Sequence, residues 1–364
     1  MRPRSWLLTI ALAVAGPAFA QTSNTKQVEA GWQAIRAGDG DAAAKAFKEA
    51  LKQRPGDPTL ILGAATAAHL LGRDDEAVDA LKRALTLEPR LLSASVLLGE
   101  IEYSQGDSDA AIQTYESALR FATGDQQTAL RQRLDAWKKE AAVHATLAGR
   151  TEARFSIVFD GQSENVLADH TLAVLDRGFN RISEKLGAYP SSRILVTLYS
   201  EQQFRDITRG PAWAGGAFDG KIRVPVRGAS EDMERFDGIL VHELTHAMMF
   251  QMAPRGVPAW LQEGLASSFE GRDPAAVERR IQSAKVALPF SALQEGFGRF
   301  DAAVAGLAYD ESLVAADVLL HMLGPRTGLL LQNLGRGQSF DDSLGQLGVQ
   351  GPEFELEVLR RLRP

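Results

Sequence analysis

Residues 241–250 read "VHELTHAMMF", two histidines four apart with a glutamate directly after the first. They sit inside the run 230–252, "SEDMERFDGILVHELTHAMMFQM", where Phe236, Ile239, Leu240 and Leu244 recur with helical period and predict one helix with an apolar face. On such a helix His242 and His246 stand one turn apart on the same side, so both imidazoles reach a single ion at about 2.0–2.1 Å. Glu243 lies roughly 100° further round the axis, beside the ion and not on it. A carboxylate there takes a proton from water without filling a coordination position. The spacing therefore supplies two metal ligands and a base. The rival reading is a helix that merely contains two histidines, and a third ligand decides between them.

A third histidine six residues beyond His246 is excluded, because Met252 stands there and Met249 takes the place of its glycine. The stretch 253–258, "APRGVP", supplies a turn, and Pro258 suits the first position of a following helix. Residues 259–271, "AWLQEGLASSFEG", then predict a short helix ending at Gly271. Glu263 is its first acid. Glu270, two turns on and on the same face, competes with it. The small residues Gly264 and Ala266 would let two helices pack closely beside Glu263, and that favours it as the ligand.

Outside this region the chain is long enough, at 364 residues with 45% apolar content, for two domains with real cores. Its start, "MRPRSWLLTIALAVAGPAFA", has a basic end, an apolar run from Trp6 to about Gly16 and small residues at Ala18 and Ala20. This predicts a secretory signal peptide over 1–20, cleaved after Ala20. The apolar run is shorter than the roughly 20 residues a membrane-spanning helix needs. Removing the leader takes the net charge from −6 to −8, because Arg2 and Arg4 leave and no acid does. That balance argues against nucleic acid or an anionic membrane surface as the main partner. The chain has no cysteine, so it forms no disulfides and a metal site must be built from His, Asp or Glu. A bacterial periplasmic or secreted protein is expected.

Between the leader and residue 124 four columns recur at an interval of 34 residues: Gly38, Gly72, Gly106; Ala43, Ala77, Ala111; Phe47, Leu81, Tyr115; and Ala50, Ala84, Ala118. Small residues mark close helix crossings, the glycine marks a turn, and the large apolar residue is a wedge. Pro55 and Pro89 close the first two units, whereas Thr123 stands at the third. The pattern, with Gly31, Ala65 and Gly99 early in each unit, resembles the tetratricopeptide repeat. That resemblance implies a concave groove that binds a peptide or protein. Residues 125–149, with Leu130, Leu134 and Trp137 on one side, predict a capping helix and linker.

From residue 150 to 364 the pattern changes. "ARFSIVFD" and "RILVTLYS" alternate as strands around a helix at about 165–186, and "GGAFDGKIRVPV" predicts two extended stretches turning at Asp219 and Gly220. The rest is mostly helical. The fold expected is an all-α tetratricopeptide array over 21–124, then an α+β domain with a small mixed sheet followed by a helical half.

"HELTH", followed seventeen residues after His246 by the glutamate of "WLQEG", resembles the gluzincin group of zinc metallopeptidases, closest to bacterial peptidase-like domains joined to tetratricopeptide repeats. The resemblance implies Zn2+ held by His242, His246 and Glu263, with Glu243 as general base. It also implies an edge strand that pairs with extended substrate, matched by "GKIRVPV", and an oxyanion donor on a later helix, matched by Tyr309 in "LAYDESLVAADVLLHML". A core tyrosine bonded to backbone is the alternative for Tyr309. His321 is expected to pack among leucines, Trp260 to pack its helix, and His69, His144 and His170 to have no part in a site. The function implied is hydrolysis of peptide bonds by an exported enzyme whose repeats recruit a protein. The alternative is a repeat-based binding scaffold whose peptidase-like domain has little catalysis.

Overall fold

Two of the three wedges of the repeat array, Phe47 and Tyr115, meet positions that lack a side chain. In the computed structural model, a Cβ added at Gly63 would lie 2.3 Å from the Phe47 ring, and one at Gly99 would lie 2.6 Å from Tyr115. Leu81 is the slimmer wedge of the middle unit, and it shares a buried cluster with Ala65, which keeps its methyl. The structure describes residues 23–160, 165–208, 216–226, 229, 232–284, 287–294, 296–297 and 300–363; the expected leader lies outside them.

The chain falls into two units, divided between Thr146 and Leu147. The first is helical throughout: α1 Ser23–Ala37, α2 Gly40–Gln53, α3 Pro58–Leu70, α4 Asp74–Leu87, α5 Leu92–Ser104, α6 Ser108–Leu119 and α7 Gly124–His144. Gly38, Gly72 and Gly106 adopt φ of 81°, 70° and 90° in the turns between paired helices, a region that favours glycine. After two of them an aspartate caps the next helix, Asp39 accepting from Ala42 N–H and Asp107 from Ala110 N–H. Helix α7 closes the array. Its Trp137 is fully buried and stacks on Tyr103 with ring centroids 4.6 Å apart, while Leu130 and Leu134 cover the rest of that cluster.

The second unit carries five strands, β1 Ala148–Thr151, β2 Phe155–Phe159, β3 Ile194–Tyr199, β4 Ala217–Phe218 and β5 Ile222–Pro225, in the order β1-β2-β3-β5-β4. The central pairs β2–β3 and β3–β5 are parallel and the outer pairs antiparallel. Phe155, Ile157 and Phe159 alternate inward as the sequence pattern requires. β1, "AGRT", carries no alternation of apolar residues and was not legible as a strand.

The expectation that "GKIRVPV" forms the sheet edge is corrected. β5 lies between β3 and β4, because the turn at Asp219 and Gly220, with Gly220 at φ 105°, folds Ala217–Phe218 back along it. The edge beside β5 is therefore β4.

The helices are α8 Asn165–Leu186, α9 Glu201–Thr208, α10 Met233–Met252, α11 Ala259–Glu270, α12 Pro274–Ala284, α13 Ala302–Leu323, α14 Thr327–Gly335, α15 Phe340–Gln346 and α16 Gly351–Leu362. Three glycines let four of them approach one another. Added Cβ atoms would sit 3.0 Å from Leu244 Cδ2 at Gly178, between α8 and α10, and 3.2 Å from Glu270 Cγ at Gly238, between α10 and α11. At Gly264, between α11 and α13, the separation from the Ser312 carbonyl oxygen would be 2.1 Å. Pro258 stands just before α11 and not in its first turn, its carbonyl accepting from the N–H groups of Leu261 and Gln262. Trp260 is fully buried against Phe290, Phe340 and Phe354, as a packing residue should be. Among the described residues no helix is long and apolar enough to cross a membrane.

Candidate metal centre

Helix α10 starts where Asp232 accepts from Arg235 N–H, and it runs unbroken through the histidine pair. One turn of helix brings His242 Nε2 and His246 Nε2 to 3.2 Å. Helix α11, pressed close by its glycine crossings, delivers Glu263 to the same point. Its Oε2 lies 3.6 Å from His242 Nε2 and 3.7 Å from His246 Nε2. Among the described residues these three side chains are the group whose ligand atoms converge in the way a metal ion requires. Ligand atoms on a tetrahedral zinc with bonds of about 2.0–2.1 Å stand about 3.4 Å apart, so the triangle has the size the ion needs. The donor set, two imidazoles and a carboxylate, also fits zinc.

Glu270, the rival acid, faces the other nitrogen of the same ring. Its Oε2 accepts from His242 Nδ1 at 3.1 Å. Glu243 is buried at 8% exposure and turns towards the start of β4, where a Cβ on Gly216 would lie 2.8 Å from its Oε1. Four charges in a small space reshape one another. Burial alone would lower the His242 imidazole, but its contacts with Glu263 and Glu270 and the charge of Glu243 raise it to about 10. Burial raises the Glu243 carboxyl above the usual carboxylate range, partly offset by the two histidines. Glu263 goes the other way: burial opposes ionisation, but the charge of His246 and its contacts with both rings hold it well below that range.

Tyr309 projects from α13 towards the carboxylates. Burial pushes its hydroxyl up, and the charges of Glu263 and Glu243 push it further, so it keeps its proton. Its ring meets Phe297 edge-on at 5.2 Å and packs against the core. His321 is corrected: it is exposed, with Nδ1 against the Asp317 carbonyl oxygen at 2.7 Å, because its face of α13 points away from the leucines. His69, His144 and His170 face the carboxylates of Asp74, Glu140 and Asp237 in turn.

The sequence reading passed over Gly216, Gly238 and the hydrogen bond of Glu270, because each depends on a contact between separate elements. It also passed over Glu311. This fully buried carboxylate accepts from Leu288 N–H at 2.8 Å through one oxygen and leaves the other without a partner. Burial raises it to about 7, with Leu288 N–H opposing and Asp310 adding to the shift. The folded state therefore holds this proton more tightly than the unfolded chain, and stability from this group falls as pH rises from about 4.5 to about 7. Glu311→Gln keeps the acceptor and removes the titration. Denaturant unfolding at pH 5 and pH 8 should show wild type losing on the order of 2 kcal/mol more than the variant across that interval. Equal losses would mean that Glu311 titrates normally.

A family model described as Peptidase MA superfamily matches residues 175–359, which span α10, α11 and α13. Two models described as Tetratricopeptide repeat match residues 34–89 and 75–126. Among curated proteins, the Small glutamine-rich tetratricopeptide repeat-containing protein 2 of Mycosarcoma maydis is 28% identical over 104 residues, covering 28% of this chain and 30% of that protein. The chain thus spans under a third of that relative's length, and the likeness is confined to a segment the size of the repeat array. The first match covers just over half of the chain and contains every element that builds the candidate metal centre, so the chain belongs to the Peptidase MA superfamily and carries tetratricopeptide repeats ahead of that domain.

Proposed function

We propose that the protein is an exported zinc metallopeptidase that hydrolyses peptide bonds, with repeats that recruit a protein. The convergence of His242 Nε2, His246 Nε2 and Glu263 Oε2 carries this reading. The superfamily is typically zinc-dependent, which supports it. Zinc, when bound, supplies Lewis acidity that polarises a carbonyl and acidifies water.

The chain's own groups do the rest. Glu243, buried and with raised proton affinity, takes a proton from water as the water oxygen attacks the peptide carbonyl carbon. It then gives that proton to the amide nitrogen as the carbon–nitrogen bond breaks, which restores the carboxylate. Tyr309, protonated at any working pH, would donate to the carbonyl oxygen as negative charge develops there. The short edge β4, whose preceding residue Gly216 abuts Glu243, offers backbone groups to an extended peptide.

Elemental mass spectrometry on the purified protein should find about one zinc per chain, and markedly less in Glu263→Ala. Absence of metal from wild type after zinc is offered would overturn the reading. Export would appear as a mature N-terminus at Gln21. The repeat matches favour a second reading, a binding scaffold with little catalysis. It would gain support if Glu243→Gln captured one stable partner that wild type leaves uncut.

A further inference from the structure

Glu311 and Tyr309 are two residues apart on α13, so their side chains leave it roughly 200° apart, towards different sides. The chain between α12 and α13 connects them. Leu288 N–H donates to Glu311 Oε1 at 2.8 Å, and further along the Phe297 ring meets the Tyr309 ring edge-on with centroids 5.2 Å apart. We propose that Glu311 is a positioning residue for Tyr309, anchoring this connection to α13 and so setting the Phe297 ring against the phenol. The inference deepens the metallopeptidase reading, in which Tyr309 donates to the developing oxyanion, and rests on it.

The chain has little freedom between these two contacts. Phe290–Leu293 makes one tight turn, with Ala292 N–H donating to the Pro289 carbonyl oxygen at 2.8 Å. Leu293 is fully buried, and the Phe290 ring tilts against Trp260 at 5.2 Å. The Gln294 carbonyl oxygen accepts from Ala259 N–H at 3.2 Å, which pins the chain to the first residue of α11, the helix that carries Glu263. Phe297 is buried in turn. The path starts on α13 at Glu311 and returns to α13 at Tyr309, so a shift at the first contact is carried to the second.

Glu311 suits this task as an acid and not as a carboxylate. It is fully buried, and among the described residues its second oxygen has no partner and no cation is set against it. A charge in such a place is costly, whereas the neutral carboxyl still accepts from Leu288 N–H. Burial pushes it up to about 7, with Leu288 N–H opposing and Asp310 adding to the shift. Among the described residues the charged groups beside it are few. Asp310 precedes it on α13, and Arg272, just after α11, and Arg280 of α12 both close on Asp310. As pH rises past about 7 the carboxyl ionises, its charge draws the side chain towards water, and the hold on Leu288 slackens.

The test measures kcat and KM of zinc-loaded wild type, Glu311→Gln and Glu311→Ala on a fluorogenic peptide, each also in a Tyr309→Phe background. Glu311→Ala should lower kcat about 10–100-fold with KM little changed, less than the roughly 10²–10³ that outright loss of an oxyanion donor costs. In the Tyr309→Phe background the same change should cost almost nothing more, because no hydroxyl is left to aim. Glu311→Gln keeps the acceptor and should restore most of kcat, and it should lack a fall that wild type shows from about pH 6 to about pH 8. A second readout needs neither zinc nor turnover. Carbon-13 at tyrosine Cζ, assigned to Tyr309 by its loss in Tyr309→Phe, should shift over the same pH interval more in metal-free wild type than in Glu311→Gln. Equal shifts overturn the proposal, and so does unchanged kcat in Glu311→Ala. Equal losses of kcat from Glu311→Ala with and without the Tyr309 hydroxyl also overturn it, since they would mark general damage to the fold. If wild type cleaves no peptide the metallopeptidase reading fails, and the carbon-13 comparison still decides whether Glu311 sets Tyr309.

Discussion

Glu243→Gln should retain zinc and lose peptide cleavage by a factor of about 10²–10⁴, the range that a positioned proton carrier contributes. The separation of the two effects follows from the geometry. Glu243 is not among the three converging ligands, so its removal leaves the triangle whole. It is buried, and burial together with the charge of Glu263 already works against its ionised form, so the neutral amide fits the space without loss of stability. What the amide cannot do is take a proton from water and return it to the leaving nitrogen. Cleavage of a fluorogenic peptide library, read beside zinc content and melting temperature, checks all three expectations. Near-normal turnover by the variant would remove Glu243 from the mechanism. Loss of zinc would mean that Glu243 helps hold the metal.

Gly264→Ala should damage fold and site together. The added methyl would stand 2.1 Å from the Ser312 carbonyl oxygen, 2.7 Å from its carbon and 2.8 Å from Ala316 Cβ. The first two atoms are backbone of a buried helix, so relief requires α11 and α13 to part. Overpacking of this kind costs about 1–3 kcal/mol, and a contact with rigid backbone belongs at the upper end or above it. Glu263 is the preceding residue, so the displacement also opens a triangle whose sides are 3.2, 3.6 and 3.7 Å. Thermal unfolding and zinc titration should both show the loss. Gly306→Ala is the control, since it lies on α13 with nothing within 4 Å of an added Cβ. It should be neutral or stabilising by up to about 1 kcal/mol through helix propensity. If the two variants melted alike, the crossing at Gly264 would have room for a methyl group.

Much of this was legible in the sequence, and for a common reason. The repeat columns, the period of α10 and the histidine spacing are local or strictly periodic, so they are written in one dimension. The choice of Glu263 over Glu270 was open on the sequence, because both acids share a face of α11. The structure separates them by which nitrogen of His242 each one meets. β1 was illegible because a four-residue edge strand needs no apolar alternation. The position of β5 was misjudged because a two-residue strand such as β4 leaves almost no pattern, yet it is enough to move the edge. His321 was misplaced because neighbouring leucines in sequence point to other sides of a helix. Gly216 and Gly238 carried no signal at all, since a glycine's reason lies in whatever fills the space beside it.

The glycines at 178, 238 and 264 carry an implication for how such a site decays in descent. None belongs to the ligand motif, yet each sets the separation of two helices that the ligands depend on. A descendant could keep both histidines and both glutamates and still fall silent through one methyl group at any of the three. Surveys that infer activity from the motif alone would count that descendant as an enzyme.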